Sequence, residues 1–406
     1  MNHEIPIPLL RFLGACMYGD AVAFYLGLSG TERALLDSQG RKFGLTAWFY
    51  RYLHDVLPET ERAKYRKDYQ MQQVRALTGK RDLDRLCGVL RDNGQRFVLI
   101  KGADLAYRAY PDTALRMFYD WDVWFHPDDC TRALDVLAAD GWRIPEWYTD
   151  SHNVVMRMNL HHYSVHIRGG QRMEPHFTLP NIGGAIPREL WEETAALPGG
   201  GSQRVLSPEL NLLMLARHAA GKSYFHASLP KFLTDVAAVM KKEPADFAKL
   251  RALSGRLRLP YPGDFFAAFP EFFPPEVIEG FGADPERAAQ CRIVFEKRSE
   301  LKKPNNVALL LTQFAARGSV MSGVLDHIRQ CGPYRMRKVF QLPKHGAWRR
   351  LAWAYVWYFW SRTWRVVAAW FRRDRGLKEY VLAVEALETC ENTPDTGKKL
   401  DRTVLP

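Results

Sequence analysis

Asp120 and Asp122 flank Trp121 within the run Phe118-Tyr119-Asp120-Trp121-Asp122-Val123-Trp124-Phe125. Aromatic and β-branched residues dominate the run, so it predicts a strand, and alternate side chains on a strand share a face. The two carboxylates would then point the same way, about 7 Å apart along the backbone. Among apolar neighbours such a pair repels and is poorly solvated, and a divalent cation relieves both costs. Upstream, Lys101-Gly102 follows another strand-like run, Phe97-Val98-Leu99-Ile100, where glycine permits a tight turn. Downstream, Arg172, Glu174 and His176 alternate, so a strand over 171–178 would place them on one face.

The elements that must position these residues change period along the chain. The first ninety or so residues read as helical, from the spacing of Leu9, Leu10 and Leu13 and of Ala47, Trp48, Tyr50 and Leu53. A long polar helix through Lys64, Tyr69, Val74 and Leu77 is followed by a separate helix over 83–90, stopped by Asn93-Gly94. Strand 97–100 then leads into a helix over 103–110 that Pro111 ends. After the aspartate strand, Pro127-Asp128-Asp129 opens a helix that Gly141 closes. Residues 153–158 and 161–168 read as strands, and Gly169-Gly170 as a hairpin turn into 171–178. Pro175 removes one ladder hydrogen bond from that strand, which an edge position would tolerate. From Ser207-Pro208-Glu209 the pattern is helical again, through Leu212, Leu215 and His218 and then Phe232, Asp235 and Val239. The fold class is therefore α+β: a small mixed sheet flanked by helices, an additional helical domain, and an amphipathic C-terminal tail.

Charge is distributed unevenly. The net charge is +12, and residues 334–379 hold twelve Lys and Arg against Asp374 and Glu379 alone, which leaves the rest almost neutral. Half of the twelve tryptophans fall in 348–370, and Trp353, Trp357, Trp360 and Trp364 would line one stripe of a helix. The uninterrupted apolar part, 351–360, is too short to span a bilayer, for which about 18 residues are needed. Contact through 348–373 with a membrane surface or a protein is the expectation, with nucleic acid the weaker candidate because the core is nearly neutral. The six cysteines form no CxxC pair, and Met1-Asn2-His3-Glu4-Ile5-Pro6 lacks the basic start and apolar stretch of a signal peptide. Both point to a cytoplasmic protein, peripheral on the inner membrane surface if the tail docks there.

Taken in order, Leu99-Ile100-Lys101-Gly102-Ala103, Tyr110-Pro111, Leu115-Arg116, Asp120-Trp121-Asp122-Val123, Gly141-Trp142 and Met173-Glu174-Pro175-His176-Phe177 resemble the bacterial uncharacterised nucleotidyltransferase family. That family lies within the DNA-polymerase-beta-like nucleotidyltransferase superfamily. Leu206-Ser207-Pro208-Glu209, Leu215-Ala216-Arg217-His218-Ala219 and Asp235-Val236 extend the likeness, which spans about 70–240. The resemblance implies that Asp120, Asp122 and Glu174 are catalytic and bind magnesium, as two ions about 4 Å apart. It implies transfer of a nucleoside monophosphate from an NTP such as ATP to a hydroxyl of an unidentified acceptor. Lys101, Gly102 and Arg116 would hold the triphosphate. Glu174 would also assist the acceptor hydroxyl.

On this basis the chain divides into a helical N-terminal region (1–80), a nucleotidyltransferase-like core (81–200), a helical domain (201–333) and the basic tail (334–406). The competing expectation is a catalytically silent binding or assembly module that keeps the fold and docks through its tail. Each residue also has a plainer role. Arg116 could form a structural ion pair with Asp120 or Asp112, and Lys101 could simply be solvated. His176 is expected to support a ligand or to pack, since magnesium prefers oxygen. His161, His162 and His166 suggest zinc only weakly, because a strand splits them between faces. Gly221-Lys222-Ser223 is no phosphate loop, because Ala216 stands where the motif needs glycine.

Overall fold

Five helices precede the first strand, and each starts or packs for a local reason. The computed structural model describes residues 5–144, 165–166, 172–176, 179, 187–221, 225–257, 259–300, 348–357 and 360. Helix α1 (Ile7–Tyr18) buries Leu9, Leu10, Phe12 and Leu13 along one side. Helix α2 (Ala21–Leu26) is capped by the Asp20 carboxylate, which accepts from the amides of Val22 and Ala23. Helix α3 (Gly30–Phe43) carries a reciprocal Ser29/Glu32 capping box and stops at Gly44, whose φ of 68° suits glycine. Helix α4 (Thr46–Leu53) buries Trp48 and Phe49.

Helix α5 (Glu59–Asp92) is a single 34-residue helix where the sequence predicts two. Gly79 does not break it. That glycine lies where the helix is closely packed, since a Cβ there would stand 3.2 Å from the Tyr107 hydroxyl and 3.9 Å from the Phe118 ring. Residue 80, taken as a domain boundary from sequence, thus lies in mid-helix.

The six strands are β1 (Phe97–Ile100), β2 (Trp121–Phe125), β3 (Val165–His166), β4 (Arg172–His176), β5 (Thr194–Ala196) and β6 (Gln203–Leu206), in spatial order β3-β4-β2-β1-β6-β5. Strand β1 is antiparallel to β2 and parallel to β6, and β4 is parallel to β2. Strand β4 is therefore internal and not at an edge. The described pairs with β3 involve Met173 and Arg172 and do not reach Pro175, which sits opposite Val123 of β2. The β5–β6 hairpin lies in a stretch from which no strand was expected. Gly199 and Gly201, at φ 71° and 59°, turn the chain between its two strands.

Strand alternation divides the sheet between two cores. Phe97, Leu99, Trp121, Val123, Phe125 and Met173 face Leu83, Leu86 and Leu90 of α5 and Ala133, Leu134 and Leu137 of α7 (Cys130–Ala139). Val98, Ile100 and Trp124 face the other way, into the core shared with α1 to α4. That core continues through α8 (Pro187–Glu192), α9 (Pro208–Gly221), α10 (Phe225–Lys242), α11 (Phe247–Arg256), α12 (Pro262–Ala267) and α14 (Pro285–Glu300), the last following α13 (Pro275–Gly280). Between β1 and β2 the chain forms the short helix α6 (Lys101–Asp104), a π-helical turn over Leu105–Ala109 and a 3-10 turn over Thr113–Leu115.

Candidate metal centre

The site lies on the sheet face that also carries Trp124. Strands β1 and β2 end in register at the pair Ile100 and Asp122, so the next residue, Lys101, comes to lie beside Asp122. Its ammonium donates to Asp122 Oδ1 at 2.8 Å, within a buried pair. Strand β4 places Glu174 directly opposite Asp122 and His176 opposite Trp124. His176 Nε2 stands 2.7 Å from the same Asp122 Oδ1. An ionised carboxylate only accepts, so Nε2 carries the hydrogen of this bond.

Burial alone would raise the Asp122 carboxyl, but the His176 hydrogen bond and the Lys101 charge outweigh it and hold the group well below its ordinary value. Asp122, Glu174 and His176 each bring a potential ligand atom within 4.8 Å of the others, and all three residues are buried. Carboxylate oxygens of this kind suit a hard divalent cation, with the imidazole as support or as an added nitrogen donor. Arg172 donates to Glu174 Oε1 at 2.6 Å and balances part of the negative charge.

Asp120 sits differently from the expectation. Strand β2 begins at Trp121, so Asp120 occupies the bend leading into it, half-buried and outside the tight trio. It remains coupled to the site. Burial and then the charges of Asp122 and Glu174 push its carboxyl above the ordinary value, with Arg172 and Lys101 opposing. Three mutually repelling carboxylates fit a cation-binding role.

The segment that delivers Asp120 is fixed from several sides. Arg116 forks onto Asp235 of α10 at 2.5 and 2.8 Å, and the pair is buried. The Tyr110 hydroxyl lies 2.8 Å from Asp235 Oδ1 and 2.9 Å from Thr234 Oγ1. Arg116 Nη1 and Lys231 Nζ both donate to the Met117 carbonyl at 2.6 Å, and the Trp48 indole N–H donates to Leu115 O at 3.1 Å. Arg116 thus finds a structural partner, but it is neither of the two nearby aspartates that sequence suggested. Sequence places Asp235 within the helical pattern that follows the core and gives no sign of this pair.

Gly102 is sterically required. A Cβ there would come within 2.7 Å of Phe118 Cβ. Phe118 also lines a groove of about 460 Å³ against α5, with Gln72, Arg75, Thr78, Tyr119 and Trp121. Tyr119 and Trp121, which line the groove, flank Asp120 in the chain, and Phe118 packs on Gly102.

Far along the chain, residues 348–357 are helical, with Leu351 and Ala354 buried and Trp353, Val356 and Trp357 exposed. Trp360 is exposed as well. No helix among the described residues is long and apolar enough to cross a membrane. Trp364 and the rest of the basic segment lie outside the described residues, as do Asn153 to Met158, His161, His162 and Lys222.

A family model described as "Uncharacterised nucleotidyltransferase" matches residues 48–261, slightly more than half of the chain and including every residue of the site. No curated protein and no solved structure matches it.

Proposed function

The chain belongs to the uncharacterised nucleotidyltransferase family, and from that premise we propose that it transfers a nucleoside monophosphate from an NTP to an acceptor hydroxyl, using a divalent cation, with magnesium as the physiological ion. The observation that carries this is the convergence of Asp122, Glu174 and His176, from two parallel neighbouring strands, beside the half-buried Asp120. Asp122 and Glu174 hold the cation, and Asp120 completes its carboxylate set. The bound ion would neutralise charge on the transferring phosphate. His176 fixes the orientation of Asp122 through its hydrogen bond. Arg116, anchored by Asp235, holds the segment before Asp120 rather than the phosphates themselves. We place the triphosphate along the Lys101-Gly102 turn and the nucleoside in the groove between α5 and Phe118, where aromatic rings and polar groups meet. Glu174, opposite Asp122, is the group assigned to the acceptor hydroxyl. The arrangement supports placing the family in the DNA-polymerase-beta-like superfamily.

Thermal unfolding with Mg²⁺ plus each NTP in turn tests the site. At least one nucleotide should raise the midpoint only when the ion is present, and Asp122→Asn should remove that rise. Incubation with labelled NTPs and cell extract, followed by mass spectrometry of the labelled product, would identify the acceptor. Absence of any nucleotide-dependent shift favours the silent binding module.

The exposed tryptophans of 348–357, followed by a strongly basic stretch, support a second role in docking on an anionic membrane surface. Flotation with anionic liposomes should be lost on deletion of 334–406 and kept by an Asp122→Asn protein.

A further inference from the structure

Lys101 is placed with unusual constraint. Its φ of 57° is the sole positive value at a non-glycine residue among the described residues. Lysine has no preference for this left-handed region, where its Cβ crowds the backbone. The side chain is nevertheless directed inward, only 11% exposed, and ends on Asp122 Oδ1. A lysine merely ending a strand in solvent would need neither feature.

The hydrogen-bond inventory at Asp122 gives this placement a chemical meaning. A carboxylate offers about two acceptor positions on each oxygen. Oδ1 takes a hydrogen bond from Lys101 at 2.8 Å and one from His176 at 2.7 Å, so its capacity is filled. Only Oδ2 is left for a cation. To bridge two divalent ions with one oxygen on each, Asp122 would need both oxygens open, and as held here it offers one.

Accepting the metal-dependent transferase above as premise, we propose that the centre takes a single divalent cation, on Asp122 Oδ2 with Glu174 and Asp120, and that the Lys101 ammonium stands where a second ion would sit. Lys101 is then a built-in cation. It neutralises the Oδ1 side of the site permanently, and the three carboxylates need only one ion from solution. The left-handed turn keeps the ammonium there, because the chain turns into α6 immediately after Ile100.

Titration of the full chain with Mn²⁺ alone, reading free Mn²⁺ by electron paramagnetic resonance, tests the assignment. The unsubstituted protein should take up one equivalent and show the spectrum of an isolated ion. Lys101→Asn removes the charge while keeping a residue that tolerates the left-handed region, and it should admit a second equivalent. Lys101→Arg, which retains a cation, should stay at one. Two equivalents in the unsubstituted protein, or a spin-coupled pair of ions, would overturn the proposal while leaving the transferase intact. One equivalent in Lys101→Asn would overturn it too. No uptake by the unsubstituted protein would remove the metal-dependent function together with this inference. Should Lys101→Asn fail to fold, as judged by its circular dichroism melt, the spectrum of the unsubstituted protein still separates one ion from two.

Discussion

The two faces of the central sheet are built from the same strands and obey opposite rules. Toward α5 and α7 the strands turn Phe97, Leu99, Trp121, Val123, Phe125 and Met173, with the buried Gln203 opposite Phe97 as an uncharged polar member. Toward the other helices, Val98, Ile100 and Trp124 share their face with Asp122, Glu174 and His176. One face exists to bury area, and the other gives up part of that area to hold charge. The carboxylates occupy positions that apolar side chains could fill by the same alternation. Their burial is tolerated because Lys101, His176 and Arg172 satisfy the oxygens.

The sharpest way to break the comparison is to move a charge from one face to the other. Val123→Asp would put a carboxylate among Leu83, Leu134 and Phe125 with no donor arranged for it, and should cost about 4 kcal/mol or more. The expected outcome is loss of cooperative unfolding in calorimetry. Asp122→Asn, one residue away, should leave the fold in place while lowering nucleotidyl transfer by about 10³-fold or more. If both variants unfold alike, the proposed division between a structural and a functional face is wrong.

Arg116 sharpens a different part of it. Its guanidinium ties the segment before Asp120 to Asp235 of α10, and the pair is buried. Removing one partner of a buried pair leaves the other charge uncompensated, so Arg116→Ala should destabilise by about 3–5 kcal/mol. Denaturant unfolding measures the loss. If Arg116 held phosphates instead, the variant would keep its stability and lose nucleotide affinity alone.

These outcomes also trace what could be read from residues alone. A short apolar run made β1 legible, aromatic and β-branched composition β2, and the alternation of Arg172, Glu174 and His176 the third strand, although β1 and β2 are buried on both faces. The β5–β6 hairpin escaped notice. Thr194-Ala195-Ala196 is short and weakly apolar, and Gly199-Gly200-Gly201 was the available signal for its turn. The sequence reading puts Asp120 on the strand, whereas it lies in the bend before it. The Lys101 contact depends on register, with Ile100 opposite Asp122, and local spacing does not encode register. Asp235 is 119 residues from Arg116 and carries no pattern of its own, so tertiary packing alone could pair them.

The smallest effect concerns Asp120 and has the opposite sign to the others. Burial, followed by the Asp122 and Glu174 charges, raises its carboxyl, so the folded protein keeps that proton to higher pH than the unfolded chain. Its contribution to stability is therefore present at low pH and is lost as pH rises through the raised value. At neutral pH the ionised Asp120 is a cost, and Asp120→Asn should raise the unfolding midpoint of protein freed of divalent ions by chelation. The gain should shrink as pH falls toward the ordinary aspartate range near about 4, where the native group is protonated and the two proteins converge. Saturating Mn²⁺ should invert the order, because the ion rewards the intact carboxylate set and has less to bind in the variant. Melts at about pH 7.5 and about pH 4.5, with and without Mn²⁺, separate these terms. A midpoint difference that ignores both pH and metal would mean that Asp120 does not belong to the charged face at all.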